Sequence, residues 1–315
     1  MATDRVPVVL EVSNLSKSYG DRRAVQDISF AIHAGEIFGL LGPNGAGKTT
    51  TIGVIATILR ASEGAVRVNG QSAAREIGAV KRKVGLVPQQ VCLYPTLTAE
   101  ENLMFFGRMY GLKDPVLAAR VESMLELVGL SPRRHDSIGS FSGGMQRRLN
   151  LACGLIHQPE LLLLDEPTVG LDPQSRERIF SAVEELAAGG MAILYTTHYM
   201  EEAERLCHRV AIMDEGRFLA EGTLDQLSAQ VGAGQTVAVT FEKAPGTKLR
   251  ARLLEEGGRQ AGPYRFQLAG DSGERLIPEL MKLAASEKNP IKELVVHRPN
   301  LGEVFLHLTG KDLRD

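Results

Sequence analysis

The sequence of 315 residues contains no apolar run long enough to cross a membrane, few cysteines and no excess of basic residues. A spanning helix needs about 20 apolar residues, whereas the wholly apolar run at residues 161–164 is far shorter. Residues 1–7 include Asp4 and Arg5, so we expect no secretory signal there. The formal net charge of −2 is atypical of nucleic-acid-binding proteins, and we expect no nucleic acid partner.

The three cysteines, Cys92, Cys153 and Cys207, are widely spaced and form no CxxC pair. This pattern argues against a zinc site or a disulfide framework, and it is typical of reduced thiols in a cytosolic setting. Because each cysteine has apolar neighbours in the sequence, we expect all of them to be buried as small apolar side chains.

The first two thirds of the sequence predict strands that alternate with helices. The predicted strands are residues 8–12, 24–32, 36–41, 64–68, 161–164, 192–197, 209–213 and 217–220. The predicted helices are residues 47–59, helical periodicity over 98–129, a helix after Gly144 and residues 176–188. Such alternation indicates an α/β fold with a largely parallel sheet. The helical stretch of about residues 92–155 interrupts it and is interpreted as an inserted helical subdomain.

A change in composition near residue 229 predicts a domain boundary. Residues 229–234 are small and polar, as in a linker. Strands are predicted at residues 236–241, 265–268 and 293–297, and helices at 275–285 and 301–308. We therefore predict one domain over residues 6–228 and a small α+β domain over residues 235–315, with no internal repeat.

A glycine-rich segment between a predicted strand and a predicted helix fits the phosphate-loop pattern G-x-x-x-x-G-K-[ST]. Glycines allow the backbone to turn its N–H groups towards one anion, and the helix N-terminus adds positive potential. Lys48 is predicted to reach the β- and γ-phosphates, and the Thr49 hydroxyl to bind Mg²⁺. The predicted ATP-binding residues of this segment are Gly42, Pro43, Asn44, Gly45, Ala46, Gly47, Lys48, Thr49 and Thr50.

Two carboxylates, Asp165 and Glu166, follow the buried strand predicted at residues 161–164. Ligands of open α/β sheets bind beyond the carboxyl ends of the strands. Asp165 is therefore a predicted magnesium ligand, and Glu166 a predicted general base for the attacking water. Alone, the pair would also fit two solvated loop acids, but the phosphate loop favours the functional interpretation.

Further segments, in a fixed order, resemble the ABC ATPase family over about residues 8–225. Tyr19 resembles the aromatic residue on which adenine stacks. Gln89 resembles the glutamine that joins the magnesium site to the membrane partner. Asp165-Glu166-Pro-Thr resembles the second nucleotide motif of the family, and His198 resembles the histidine that senses the γ-phosphate. The resemblance thus implies catalytic roles for Glu166, His198 and Gln89, and metal binding by Thr49, Gln89 and Asp165.

The segment Phe141-Ser-Gly-Gly-Met145-Gln resembles the family's signature segment. Ser142 is able to cap a helix whose first N–H groups Gly143 and Gly144 leave open to an anion. The resemblance implies that this anion is the γ-phosphate held by another subunit, and that Asp172, in Gly170-Leu-Asp172, contacts the opposite subunit. One chain has one phosphate loop and one signature segment, so the family's paired sites imply a dimer.

The signature segment departs from the commonest family pattern at two positions. Phe141 and Met145 stand where leucine and glutamine are usual. The run from Met145 to Leu149 resembles the branch that serves drug, polysaccharide and ion exporters. The run Pro299-Asn-Leu, with residues 304–310, resembles daunorubicin-resistance-type ATPases of the ABC-2 exporter branch. Arg147 and Arg148 are expected to be solvated surface charges.

The resemblance implies a P-loop NTPase core of the ABC ATPase type with an antiparallel β subdomain and a helical subdomain, plus a small α+β C-terminal appendage. It implies ATP and Mg²⁺ as cofactors. It also implies that hydrolysis powers the export of a drug, lipid, polysaccharide or ion through a separate membrane permease. The partners would be a second nucleotide-binding subunit, in a homodimer or heterodimer, and an integral permease. The chain would lie peripherally on the cytoplasmic face of the cell membrane.

Two other functions are compatible with parts of the sequence. A soluble ABC ATPase of translation or DNA repair resembles this core, but such proteins usually carry two nucleotide domains or a coiled-coil insertion, and neither is present. A nucleotide-binding regulator without turnover conflicts with an intact Glu166.

Overall fold

The computed structural model describes residues 6–230, 236–269, 271–297 and 300–310. Their contacts divide the chain into two compact units between Thr223 and Leu224. Residues 224–228, which the sequence places in the first domain, belong here to a helix of the second unit, Leu224–Gln230. The predicted linker falls partly on that helix, and the rest of it lies outside the described residues, as does Pro299.

The strands of the first unit form two sheets. In chain order they are β1 (Val8–Tyr19), β2 (Arg22–His33), β3 (Ile37–Leu41), β4 (Glu63–Val68), β5 (Gln71–Ser72), β6 (Val84–Val87), β7 (Leu161–Asp165), β8 (Ala192–Thr197), β9 (Arg209–Asp214) and β10 (Arg217–Gly222). One sheet is antiparallel, in the order β2-β1-β4-β5. The other has the order β10-β9-β3-β8-β7-β6 and is parallel except for β10. The predicted antiparallel subdomain and largely parallel sheet are confirmed.

The helices of the first unit lie between these strands in the chain. They are α1 (Lys48–Ile55), α2 (Ile77–Lys83), α3 (Ala99–Met109), α4 (Val116–Leu127), α5 (Gly143–Leu155), α6 (Pro173–Ala188) and α7 (Met200–Leu206). Helices α3, α4 and α5 pack against one another inside the predicted insertion. The periodicity over residues 98–129 is interrupted, because Gly111 has φ 82° and the chain turns before α4.

Strand β7 is buried on both faces, as its apolar run predicts. Leu162 and Leu164 pack into one core with α3, α4, α5 and α6. Leu161 and Leu163 point to the opposite face and pack into a second core with α1 and the antiparallel sheet. The alternation continues beyond the apolar run, so Asp165 follows the second face and ends the strand beside α1.

The second unit is a four-stranded antiparallel sheet with helices. Its described elements are α8 (Leu224–Gln230), β11 (Thr236–Phe241), α9 (Thr247–Glu255), β12 (Arg259–Gln260), β13 (Arg265–Ala269), α10 (Asp271–Ser286), β14 (Ile291–His297) and α11 (Leu301–Thr309). The sheet order is β12-β13-β11-β14. Apolar residues of α9 and α10 form one core with β11 and β13, whereas α8 packs against α11.

The three cysteines differ in burial. Cys153 is buried and Cys207 is partly buried, but Cys92 is exposed. The prediction for Cys92 is therefore wrong, because this residue lies in the loop between β6 and α3, where its Sγ faces the carbonyl oxygen of Gln90. Among the helices of the described residues, none has the length and apolar character required to cross a membrane.

Candidate functional site

The glycine-rich segment forms a turn that joins β3 to α1. Gly47 precedes the helix with φ 114°, a conformation that suits glycine. A Cβ atom on Gly42 would lie 2.1 Å from the carbonyl oxygen of Met213, so β9 leaves no room for a side chain there. The sequence therefore builds the turn with glycine for two separate reasons, backbone conformation at Gly47 and close approach at Gly42.

Lys48 begins α1 and turns its amine back over the loop. Its Nζ donates to the carbonyl oxygens of Gly42 at 2.7 Å and Pro43 at 3.1 Å. The same Nζ lies 3.1 Å from Oε1 of Glu166, and the two side chains are only 4% and 7% exposed. A buried ion pair of this kind stabilises only when its remaining polar atoms are also satisfied, and the loop carbonyls fulfil that condition for Lys48.

Glu166 brings together three of the predicted site residues. Gln89 Nε2 donates to Glu166 Oε2 at 3.1 Å. His198 Nδ1 lies 3.3 Å from the same oxygen but has no hydrogen-bond partner among the described residues. Glu166 has φ 47°, which is uncommon for a residue with a side chain. Backbone strain of this kind is found at functional sites.

Asp165 lies at the end of β7 and is 3% exposed. Its Oδ1 accepts a hydrogen bond of 2.8 Å from Thr196, and its carboxylate also bonds to the Thr49 side chain. Burial raises the pKa of Asp165, and the hydrogen bonds to Thr196 and Thr49 oppose this effect. A buried carboxylate beside a hydroxyl is a hard-oxygen donor set, so these residues fit a magnesium ion. Such an ion would compensate the cost of burying the charge.

An open cavity of about 420 Å³ lies over the phosphate loop. It is lined by Tyr19, Arg22, Ala24, Asn44, Gly45, Gly47, Lys48, Thr49, Thr50, Gln89 and Glu166. Tyr19 is 48% exposed, and the amine of Lys17 lies 5.1 Å from the centre of its ring. The exposed ring therefore lies beside the glycine-rich turn. Arg22 and Ala24 were not predicted, since no motif marks them.

The signature segment does not line this cavity. Ser142 caps α5 by accepting a hydrogen bond of 3.3 Å from the Met145 backbone N–H. Asp172 caps α6 in the same way, at 2.9 Å from the N–H of Ser175. The two helix N-termini are in contact, because a Cβ on Gly144 would lie 2.1 Å from Ser175 Oγ.

Two arginines of α5 are not the solvated charges that the sequence predicts. Arg147 donates to the carbonyl oxygens of Pro88 and Gln89. Arg148 donates to Val128 O at 2.6 Å. Burial lowers the pKa of both guanidinium groups. These contacts depend on how α5 packs against the neighbouring loops. The spacing of residues along α5 does not predict that packing. Arg147 thereby attaches the loop of Gln89 to the signature helix.

The fold and this site define a P-loop ATPase. A model of the family described as ABC transporter matches residues 25–169. The linearmycin resistance ATP-binding protein LnrL of Bacillus subtilis (strain 168) is 42% identical over 98% of this chain and 100% of its own length. The daunorubicin resistance ATP-binding protein DrrA3 of Streptomyces coeruleorubidus is 38% identical over 97% of each. The Nod factor export ATP-binding protein I of Paraburkholderia xenovorans (strain LB400) is 38% identical over 97% of this chain and 98% of its own length.

Solved structures give the same result. The structure of an ATP-binding subunit of an ABC transporter matches with a TM-score of 0.66 and 34% identity, over 71% of this chain and 94% of that one. A dimeric ATP-binding cassette in a post-hydrolysis state with ADP and Pi matches with a TM-score of 0.63 and 26% identity, over 68% of this chain and 98% of that one.

The chain belongs to the ABC transporter family, as an ATP-binding and ATP-hydrolysing subunit of the exporter type. Its resemblance to daunorubicin-resistance-type ATPases is thereby confirmed. Subunits of this family dimerise and work with membrane permeases.

Proposed function

We propose that the cavity over the phosphate loop is the ATP site, and that Glu166 is the general base of hydrolysis. The observation that supports this is the convergence of Lys48, Gln89 and His198 on the Glu166 carboxylate, within 3.1 to 3.3 Å. Glu166 is thus held beside the amine that would bind the β- and γ-phosphates. When phosphate replaces the carboxylate as the partner of Lys48, one carboxylate oxygen becomes free to accept a proton from water.

In this proposal the other site residues bind and orient the nucleotide. Tyr19 stacks on the base, and the N–H groups of residues 42–50 surround the phosphates. Thr49, Asp165 and Gln89 hold Mg²⁺, which would neutralise phosphate charge. His198 contacts the γ-phosphate, since its Nδ1 lies beside Glu166 and makes no hydrogen bond within the described part of the chain.

We further propose that a second copy of the chain completes the site. Ser142, Gly143, Gly144 and Asp172 lie at two helix N-termini that do not line the cavity in one chain. Helix N-termini favour anions, and the γ-phosphate of the opposite subunit supplies one. A homodimer is the simplest arrangement, because one chain carries both halves of the site.

The membrane partner is proposed to bind an open groove of about 500 Å³ along α3. Apolar side chains line it, among them Leu97, Phe105 and the 70% exposed Met109. The loop between β6 and α3 carries Leu97 at one end and Gln89 at the other, so one segment reaches both the groove and Glu166. An integral permease is the proposed occupant, which would hold the chain peripherally at the cytoplasmic face of the membrane. Co-purification of an integral membrane protein with the full chain tests this assignment.

The cargo is proposed to be a compound of the kinds that the relatives' names mention, which are linearmycin, daunorubicin and Nod factor. We expect the permease to select the cargo, because the residues of the proposed ATP site bind nucleotide and not cargo.

Replacement of Glu166 by glutamine tests the proposed hydrolytic role. Glu166→Gln removes the proton acceptor but keeps the shape, so we expect ATP hydrolysis to fall by about 10²–10⁴-fold. Nucleotide binding should persist. Phosphate release and binding of a fluorescent ATP analogue by the full chain measure the two effects.

The matched control is Glu126→Gln, which neutralises an exposed carboxylate on α4 and should leave both quantities unchanged. Hydrolysis at the wild-type rate in Glu166→Gln would contradict the proposed role.

A further inference from the structure

Glu202 is a buried carboxylate that the proposed chemistry does not use. It lies in α7 and is 2% exposed. Its Oε1 accepts a hydrogen bond of 2.7 Å from Thr168 Oγ1. Its Oε2 accepts bonds of 3.0 Å from Tyr195 OH and 2.9 Å from Thr197 Oγ1. Arg176 Nε lies 3.7 Å from Oε1, beyond hydrogen-bond distance. Hydroxyl groups therefore supply the observed hydrogen bonds to this carboxylate.

The donors to Glu202 belong to different parts of the site. Thr168 stands two residues after Glu166, in the loop that follows β7. Thr197 is the last residue of β8 and directly precedes His198. Thr197 Oγ1 also accepts a hydrogen bond of 2.9 Å from the Tyr199 backbone N–H, on the other side of His198. One carboxylate thus bonds to both loops that carry the proposed catalytic pair.

We call Glu202 and its donors Thr168, Tyr195 and Thr197 the Glu202 cluster. The alternation of side chains along β8 separates this cluster from the proposed metal ligands. Thr196 points to the face of α1, where it bonds to Asp165. Tyr195 and Thr197 point to the opposite face, where they bond to Glu202. The cluster therefore supports the catalytic loops from behind the sheet and does not belong to the nucleotide cavity.

The hydroxyl groups around Glu202 satisfy both oxygens of its buried carboxylate. A carboxylate removed from water is costly unless hydrogen bonds compensate it, and bonds from hydroxyls to a charged acceptor are stronger than neutral ones. Burial, and next the charge of Glu202, raise the pKa of Tyr195 well above its usual value, so this phenol remains a donor. Well-packed apolar residues often stabilise as much as buried charge does, so stability alone does not account for Glu202.

We propose that Glu202 is a positioning residue, which sets the distance between Glu166 and His198 by joining the loop after β7 to the loop after β8. This inference rests on the proposed catalytic roles of Glu166 and His198. It predicts that the link matters for turnover and not for nucleotide affinity, because the cluster does not line the cavity.

Two substitutions of Thr168 in the full chain test the link. Thr168→Val keeps the shape and removes the hydroxyl, and Thr168→Ser keeps the hydroxyl. A small misplacement of a catalytic group lowers rate strongly, so kcat of Thr168→Val should fall about tenfold, with KM for ATP unchanged. Thr168→Ser should retain the wild-type kcat. Glu202→Gln should resemble Thr168→Val, because the amide nitrogen accepts no hydroxyl hydrogen.

The His198→Ala background separates positioning from general loosening. If the link acts by placing Glu166 against His198, the Thr168→Val effect should shrink to less than about twofold when His198 is already absent. Asn289→Ala is the control for stability. It removes bonds to Lys243 and Ala244 in the second unit, so it should lower the unfolding temperature and leave kcat unchanged.

The outcomes distinguish this inference from the proposed function. A wild-type kcat in Thr168→Val and in Glu202→Gln, with a lower unfolding temperature, would overturn the positioning role and leave Glu166 as the base. An equal loss in Thr168→Ser would also overturn it, since the hydroxyl would then not be the determinant. Unchanged hydrolysis in Glu166→Gln would instead overturn the proposed function itself.

Discussion

At the scale of single residues, folding shifts the pKa values of two aspartates of the proposed nucleotide site in opposite directions. Burial raises the pKa of Asp165, against the hydrogen bonds to Thr196 and Thr49. Hydrogen bonds from Ser175 lower the pKa of the exposed Asp172. The fold therefore opposes the charge of the first carboxylate and favours that of the second. A carboxylate whose charge the fold opposes is a candidate for cation binding.

Asp165→Asn should stabilise the nucleotide-free protein. Because the folded pKa of Asp165 is raised, its contribution to stability is fully present below the unfolded pKa of about 3.9 and is lost as pH rises through the folded value. At neutral pH the charge destabilises the fold, so Asp165→Asn should raise the unfolding temperature, by about 2 °C. The shift produced by ATP with Mg²⁺ should disappear. Thermal unfolding with and without the nucleotide measures both.

Asp172→Asn provides the comparison, since the same isosteric change removes a charge that the fold favours. It should leave the unfolding temperature unchanged or lower it slightly. A lower unfolding temperature in Asp165→Asn would show that burial of this charge does not cost stability.

At the scale of elements, the sequence predicted those strands and turns whose structure depends only on neighbouring residues in the chain. The Leu161–Leu164 run predicted β7, and the glycine pattern predicted the turn before α1, because both depend on neighbours in the chain. The Glu202 cluster was not predictable, since it depends on which residue of β8 lies beside β7 and on where α7 packs. Helix α9 was also missed, because only Leu249 and Leu253 mark its buried face. Strand β6 was missed because Gly85 interrupts its short apolar run.

Two adjacent glycines at the N-terminus of α5, beside α6, have different surroundings, so we expect their substitution to have different effects. A Cβ on Gly143 would meet nothing within 4 Å, whereas one on Gly144 would lie 2.7 Å from the Ser175 Cβ. Gly144→Ala should therefore push the two helices apart and cost about 1–3 kcal/mol of unfolding free energy. Gly143→Ala should leave stability unchanged but obstruct the opposite subunit's γ-phosphate, so that dimers no longer form with ATP and Mg²⁺.

Urea unfolding and analytical ultracentrifugation measure these two effects in the same preparations. The Glu166→Gln background suits the dimer measurement, because bound ATP then persists. Normal ATP-dependent dimers in Gly143→Ala would contradict the assignment of this helix end to the opposite nucleotide.

At the scale of the whole molecule, the proposed composite site consists of two halves, which do not meet within the described residues of one chain. Lys48 and Glu166 line the cavity, whereas Ser142 and Asp172 cap helices outside its lining. A two-fold axis would place the cavity of each copy against the Ser142 and Asp172 helix ends of the other copy. Two equal sites would result. Every composite site would then depend on residues from both copies. A copy with a damaged cavity and a copy with a damaged helix end should therefore still form one intact site together.

Mixing two inactive variants tests this arrangement. Lys48→Ala damages the phosphate half, and Ser142→Arg damages the capping half, so neither homodimer has an intact site. A mixed dimer has one, formed by Lys48 of the second variant and Ser142 of the first. With random exchange, half of the dimers are mixed, and about one quarter of wild-type hydrolysis should return. Mixing Lys48→Ala with Glu166→Gln should restore nothing, because both changes damage the same half. Equal activity in the two mixtures would place a complete site within each chain.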